Sequence, residues 1–321
     1  MKLKFHITCY IVFVLMTAHC AFGARLLGVT WSGGINDTLN LNNTLISLDP
    51  NTSSFRIIKR LAGPKNTLSL AYNPNSNLLY ALAQTNYALY TVRLDTLEEA
   101  FVGNLSFDGS SGLNWSAGAI AYDPEGDILY VAVRIDNWPE FNGSMLGIID
   151  KQNGAVTLLD SLTGAGSSNN YYITGLSYSL FSRNLYGAAV YLEPGHSQAD
   201  FNQIVTIEPD TALMSAIFDS PYIGMHSFTK MPQEDCYYSW VNEDSGHYFG
   251  KTIMESQDVD LLDYDDSAGG VLALAYILYW DVDNDGDVDS LNLNDIADKF
   301  VRGEVNESDL AYFAREFGNH L

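Results

Sequence analysis

The chain has 321 residues, 47% of them hydrophobic, and a formal net charge of −23. That length and composition describe a globular protein with ample core, in one large domain or two ordinary ones. Nucleic acid and anionic membrane surfaces are excluded as partners, because both require a basic patch.

Residues 1–23 read as a signal peptide. Lys2 and Lys4 supply the positive start, Ile7 to Met16 a nearly continuous apolar run, and Ala21 and Gly23 the small residues of a cleavage site before Ala24. An uncleaved membrane anchor is the competing reading, but the run is short for a span. Cys20 makes a poor lipoprotein cysteine, since His19 stands where a small residue is expected. Cleavage removes Cys9 and Cys20 and leaves Cys236 alone, so no intramolecular disulfide can staple the fold. Cys236, next to Tyr237 and Tyr238, reads as a buried structural thiol. The chain is then expected outside the cell, secreted or held at the cell surface or in the periplasm, with no membrane span once the leader is gone.

A repeat organises residues 24–278. LAYNPNSNLLY, IAYDPEGDILY, LSYSLFSRNLY and FTKMPQEDCYY align without gaps, closing on Tyr80, Tyr130, Tyr186 and Tyr238 at spacings of 50, 56 and 52 residues. Each is a strand, a polar turn and a second strand, hence a β-hairpin. A third apolar strand follows in each unit and ends in an acid at a turn (Asp95, Asp150, Glu208), with Asp49 equivalent in the first unit. A fourth strand comes next, as in Ala155 to Leu159 or Leu213 to Ile217. Four strands in about 50 residues match one blade of a β-propeller.

The two ends of this domain are fragments of one unit. Leu26 to Thr30, Leu45 to Asp49 and Phe55 to Leu61 lack an opening strand, while Val271 to Tyr276 is an opening strand without its unit. Their pairing predicts a five-bladed ring closed by the chain ends, which removes two free sheet edges. The turn acids read as residues that hydrogen-bond their own backbone, in preference to a repeated cation site. The strand-then-acid turns and the LAYNP/IAYDP hairpins resemble repeats of quinoprotein-like and surface-layer propellers, a resemblance that implies fold and not activity.

The tail from Glu255 to Leu321 holds 17 of the 39 acids, and the spacing of those at 281–292, DVDNDGDVDSLN, gives them a role. Asp281, Asp283 and Asp285 occupy loop positions 1, 3 and 5, from which alternate carboxylates converge on one ion. Gly286 permits the sharp turn, Asp287 offers its backbone carbonyl, Val288 packs beneath, and Asp289 acts through water. Hard oxygen donors at this spacing select calcium. Without a cation, these aspartates around one glycine would repel each other.

This loop resembles the first half of a type I dockerin, whose pattern is DxNxDGxVxxxD followed by a helix. Leu293, Ile296, Ala297 and Phe300 fall at helical spacing. Gly303, Val305, Asn306 and Asp309 match a second half, with Leu310, Phe313, Ala314 and Phe317 as its helical face. Two departures shape the expectation. Asn292 replaces the acid at position 12, and Phe300 and Arg302 stand where the second loop needs ligands. One Ca2+ is therefore predicted, held by Asp281, Asp283, Asp285, Asp287 and Asn292. The resemblance implies a cohesin-like partner for a module at 279–321, or else a tail that only stabilises.

Catalytic signals are weak. Glycoside hydrolysis needs a pair of opposed carboxylates, and the expected innermost strands (67–72, 117–122, 172–178, 225–230 and 269–277) carry no Asp or Glu. Asp108 and Asp200 outside them keep a glycosidase reading alive, and the alternative is a polysaccharide-degrading or other hydrolytic enzyme targeted through its dockerin-like tail. His196, His226 and His247 show no ligand spacing, and His226 beside Ser227 reads as a satisfied channel residue rather than part of a triad. Trp31, Trp115 and Trp138, expected in or beside loops, either stack on sugars or cover blade ends. Seven sequons (Asn36, Asn42, Asn51, Asn104, Asn114, Asn142 and Asn306) matter only in a glycosylating host. The expectation is a propeller that binds an extracellular polysaccharide or protein ligand.

Overall fold

The computed structural model describes residues 25–277 and Arg302, apart from 32–40, 49–54, 138–139, 165–170, 180–181, 192–200, 223–224, 232–235, 244–245 and 263–269. The expected leader at 1–23, the expected calcium ligands Asp281, Asp283, Asp285, Asp287 and Asn292, and the expected dockerin-like module at 279–321, but for Arg302, lie outside the described residues. No described helix is long and apolar enough to cross a membrane.

Twenty strands form five antiparallel sheets of four, the blades of a propeller. The N-terminal strands are β1 (Arg25–Trp31), β2 (Thr44–Leu48) and β3 (Phe55–Arg60). The second blade is β4 (Thr67–Asn73), β5 (Leu78–Ala83), β6 (Ala88–Arg93) and β7 (Glu99–Asn104). The third is β8 (Asn114–Asp123), β9 (Ile128–Asn137), β10 (Glu140–Ile149) and β11 (Val156–Ser161). The fourth is β12 (Tyr171–Ser179), β13 (Asn184–Tyr191), β14 (Phe201–Ile207) and β15 (Met214–Ser220). The fifth is β16 (Met225–Met231), β17 (Cys236–Glu243), β18 (Gly246–Ile253) and β19 (Asp258–Leu262), after which β20 (Gly270–Ile277) pairs with β1 and completes the first blade. The predicted closure is therefore what the chain does.

The inner strands β4, β8, β12, β16 and β20 pack against one another around the axis. Their apolar side chains and those of the second strands fill the space between blades, as in the cluster of Leu82, Ile120, Leu129, Val131 and Val133. Burial of that kind contributes roughly 25 cal/mol for each Å² removed from water. The anchor tyrosines join neighbouring blades: Tyr80 meets Tyr122 at 5.9 Å, Tyr130 stacks on Tyr178 at 6.3 Å, and Tyr186 meets Tyr237 at 5.1 Å between ring centroids. Burial, with Asp123 nearby, pushes the Tyr130 phenol up to about 12, so the rings stay neutral in the interface.

Small polar residues tie the inner strands together. Ser69 Oγ accepts from Ile120 N at 3.1 Å, Ser177 Oγ from Lys230 N at 2.9 Å, and Thr229 Oγ1 from Tyr276 N at 3.0 Å. Ser227 Oγ accepts from Leu274 N at 2.5 Å, and Thr174 Oγ1 donates to Met225 O at 2.6 Å. Between the third and fourth blades the inner strands approach so closely that a Cβ on Gly118 would lie 2.1 Å from Ile173 O. Each inner strand also carries a bulge, with Leu68, Gly118, Thr174, Ser227 and Leu272 as the extra residues.

Candidate functional site at the mouth of the ring

The bulges lie near the end of the ring at which the inner strands begin. There a cavity of about 220 Å³ opens among the second, third and fourth blades. It is lined by Ser116–Gly118 of β8 and Tyr172–Thr174 of β12, with Leu68 from β4. Its wall comes from Gln84 and Tyr87 in the β5–β6 connection and from Ala132, Arg134 and Ser144 on the long β9–β10 hairpin. A few polar side chains among apolar ones are the usual make-up of a ligand pocket.

Arg134 is the only charged side chain among the described residues lining this cavity. Register places it directly opposite Ser116 on β8 and Ser144 on β10, so the three side chains share one face of the sheet. Its Cζ lies 4.9 Å from the centroid of the Tyr172 ring across the blade boundary, a cation–π contact. Burial pushes the Tyr172 phenol up, against a smaller lowering by Arg134, so it is a neutral hydroxyl at physiological pH. The Ser144 hydroxyl donates to Tyr171 O at 3.0 Å and fixes the hairpin against the fourth blade.

The β5–β6 connection is strained where it meets the cavity. Asn86 and Tyr87 both have positive φ, 56° and 47°, a conformation that costs non-glycine residues free energy and often marks a functional position. It brings the Tyr87 ring to 4.9 Å from Trp115, which also meets Phe107 at 5.2 Å. Trp115 is the second residue of β8, at the edge of the preceding loop, and it packs on these rings at the end of its blade. Of the other proposed stacking residues, Trp31 closes β1, and Trp138 lies outside the described residues.

The remaining candidates go elsewhere. Asp95 Oδ1 accepts from Thr96 N, Asp150 Oδ1 from Gln152 N, and Glu208 Oε2 from Thr211 Oγ1, so these acids serve their own turns. Asp49 and Asp200 lie outside the described residues, and Asp108 is exposed on the connection before β8. One inner strand does reach an acid: β8 runs on to the buried Asp123, at the opposite end from the cavity, where its carboxylate accepts from Glu125 N. Ser227 is engaged by Leu274, as a structural residue of the channel would be. Sequence reasoning missed Arg134, Tyr172, Gln84 and Ser144. The signal was a lone arginine within the apolar strand ILYVAVRIDN of β9.

No protein-family model matches the chain, and no curated protein matches it in sequence. Among solved structures it is similar to a chain in the crystal structure of a nidogen/laminin complex, with 10% identity and a TM-score of 0.50 over 80% of this chain and 99% of the other. That likeness supports the propeller fold.

Proposed function

We propose that this chain is a secreted or cell-surface binding protein, whose propeller takes an extracellular carbohydrate or protein ligand at the mouth cavity. The observation that carries this reading is the cavity itself. It is concave, walled by hydroxyl, amide and guanidinium groups, and bounded by a strained connection. The similar solved structure belongs to a complex, in keeping with a propeller used for binding. A hydrolytic enzyme acting on polysaccharides is the second reading. It needs two opposed carboxylates, and none of the described residues lining the cavity is Asp or Glu, which favours binding.

The tail supplies a second proposed element. Asp281, Asp283, Asp285, Asp287 and Asn292 form an all-oxygen donor set that fits one Ca2+. The ion would bring their charges together and fold the dockerin-like module at 279–321, which then docks onto a cohesin-like partner or stabilises the chain.

A glycan array run beside a hydrolysis screen tests the main reading. Retention of a glycan or a protein without turnover is the expected result. Turnover of any glycan would replace binding by catalysis.

A further inference from the structure

We propose that the acidic C-terminal segment, residues 278–321, docks onto the outer edge of the first blade, along β3. The inference goes beyond the binding reading above and does not depend on what the mouth cavity takes.

Charge singles out this edge. A propeller exposes the outermost strand of every blade, and four of these strands carry acids without a base: Glu99 in β7, Asp160 in β11, Asp219 in β15, and Asp258 and Asp260 in β19. The outermost strand of the first blade, β3, reads FRIIKR, with Arg56, Lys59 and Arg60 and no acid. No Asp or Glu occurs anywhere between Asp49 and Asp95. Lys59 pairs with Glu99 of the second blade, whereas Arg56, Arg60 and the nearby Lys65 are exposed and form no ion pair among the described residues. Register sets Arg56 opposite Ser47 and Arg60 opposite Thr44, on opposite faces of the strand, so bases flank the edge on both sides. Ile57 stands between them at 50% exposure, and no strand pairs with the outer side of β3 among the described residues.

Charged edges keep sheets of different molecules apart. On a chain carrying −23, acids serve that purpose because copies repel each other. A basic edge does the reverse. It attracts the acidic edges of a neighbouring copy, and so calls for an acidic cover.

The tail fits that role by charge and by reach. Residues 278–321 hold eleven acids against three bases, and six of those acids lie beyond residues 281–292, so the segment stays anionic even with an ion in the proposed calcium loop. It leaves the propeller from β20, the inner strand of this same blade. Tyr276 stands opposite Leu26, Leu26 opposite Leu48, and Leu48 opposite Phe55, one row across all four strands to the start of β3. Three inter-strand steps span about 15 Å, which about five extended residues cover. Asp281 is the fifth residue after Tyr276, so the acids of the tail begin within reach of the basic edge. A tethered segment also meets its site at an effective concentration of order millimolar, which favours it over the acidic edge of a second copy. Nucleic acid is disfavoured, since the rest of the chain repels a polyanion from so short a strip.

The experiment is carbodiimide cross-linking of the full chain, as a mixture of light and heavy isotope-labelled copies, beside hydrogen exchange at low and high salt. Carbodiimide joins a lysine to a carboxylate that it touches, and Lys65 should link to an acid between Asp281 and Glu316 of its own chain. Exchange along β3 should speed up at least about tenfold in Arg56→Glu/Arg60→Glu. Salt of about 1 M, where the Debye length is about 3 Å, should do the same. Exchange along β12 should stay unchanged in both cases. Glu304→Gln/Glu307→Gln/Asp309→Asn removes charge from the tail, leaves the propeller sequence intact, and should match the effect of the arginine variant. No link from Lys65 to the tail, or β3 exchange indifferent to salt and to both sets of substitutions, would overturn the proposal. Links between light and heavy chains alone would give the edge to a second copy and overturn it as well. None of these readouts involves the mouth cavity, so the binding reading stands or falls separately.

Discussion

Leu26 and Tyr276 stand opposite each other across β1 and β20, so the first described strand of the chain pairs with the last inner strand. Seven pairings from Arg25↔Ile277 to Trp31↔Gly270, interrupted by one bulge, close the ring through backbone pairing. Leu274 in that strand is 1% exposed. Leu274→Ala should cost about 2–4 kcal/mol in chemical denaturation, the range for emptying a well-packed core site. Ending the chain before Gly270 should destroy cooperative unfolding and leave open sheet edges that associate. A chain ending after Ile277 should keep the cooperative transition. Cooperative unfolding without β20 would refute the closure argument.

Ser227 and Ser69 are equivalent hydroxyls in different blades, each accepting from a backbone N–H of the next inner strand. Replacing either with alanine strands a buried donor. The expected loss is about 1–3 kcal/mol. Gly118→Ala should be at least comparably damaging, since its Cβ meets backbone oxygen and no flexible side chain can yield. Differential scanning calorimetry of the three variants measures these losses. Wild-type melting in Ser227→Ala would mean that water replaces the hydroxyl there.

Glu99 clamps the first blade to the second. Its Oε2 accepts from Ala62 N and Gly63 N, both at 2.8 Å, and its Oε1 lies 2.9 Å from Lys59 Nζ. Burial alone would raise its pKa, but the Gly63, Lys59 and Ala62 donors together hold it below the ordinary value of 4.5. A depressed folded pKa adds stability above the unfolded value and loses it as the pH falls through the folded one. Glu99→Gln should therefore destabilise the protein by about 1 kcal/mol at pH 7. The gap to wild type should narrow below pH 4.5 and close once the carboxyl is protonated. Urea titrations across this range test it, and a gap that widens in acid would reverse the sign.

Calcium titration into the full chain should find one ion, and the Asp281→Ala/Asp285→Ala double variant should bind none. Chelation should lower the stability of the tail while the propeller transition stays near its place. Two ions in the wild type would mean that the second half of the tail ligates despite Phe300 and Arg302. No ion would mean that Asn292 disables the loop.

The blade count was legible because the hairpins recur in register with their closing tyrosines. The fragments at the two ends are complementary for the same reason, so the closure is legible in the sequence. Local patterning decides such features: alternation of apolar residues, turn chemistry and self-similarity are all properties of neighbouring positions. The proposed calcium loop is likewise a local pattern, its candidate ligands lying within one short run of chain. The mouth cavity is of another kind. Arg134, Tyr172 and Gln84 come from three blades, and nothing in their flanking sequence distinguishes them as partners. Ser69 and Ser227, polar residues inside apolar strands, gain their meaning only from the amide of the next inner strand. The sequence by itself determined the repeat and the closed ring. Only the tertiary structure decided which side chains meet at the mouth, because contacts between blades depend on how separate sheets pack around a common axis.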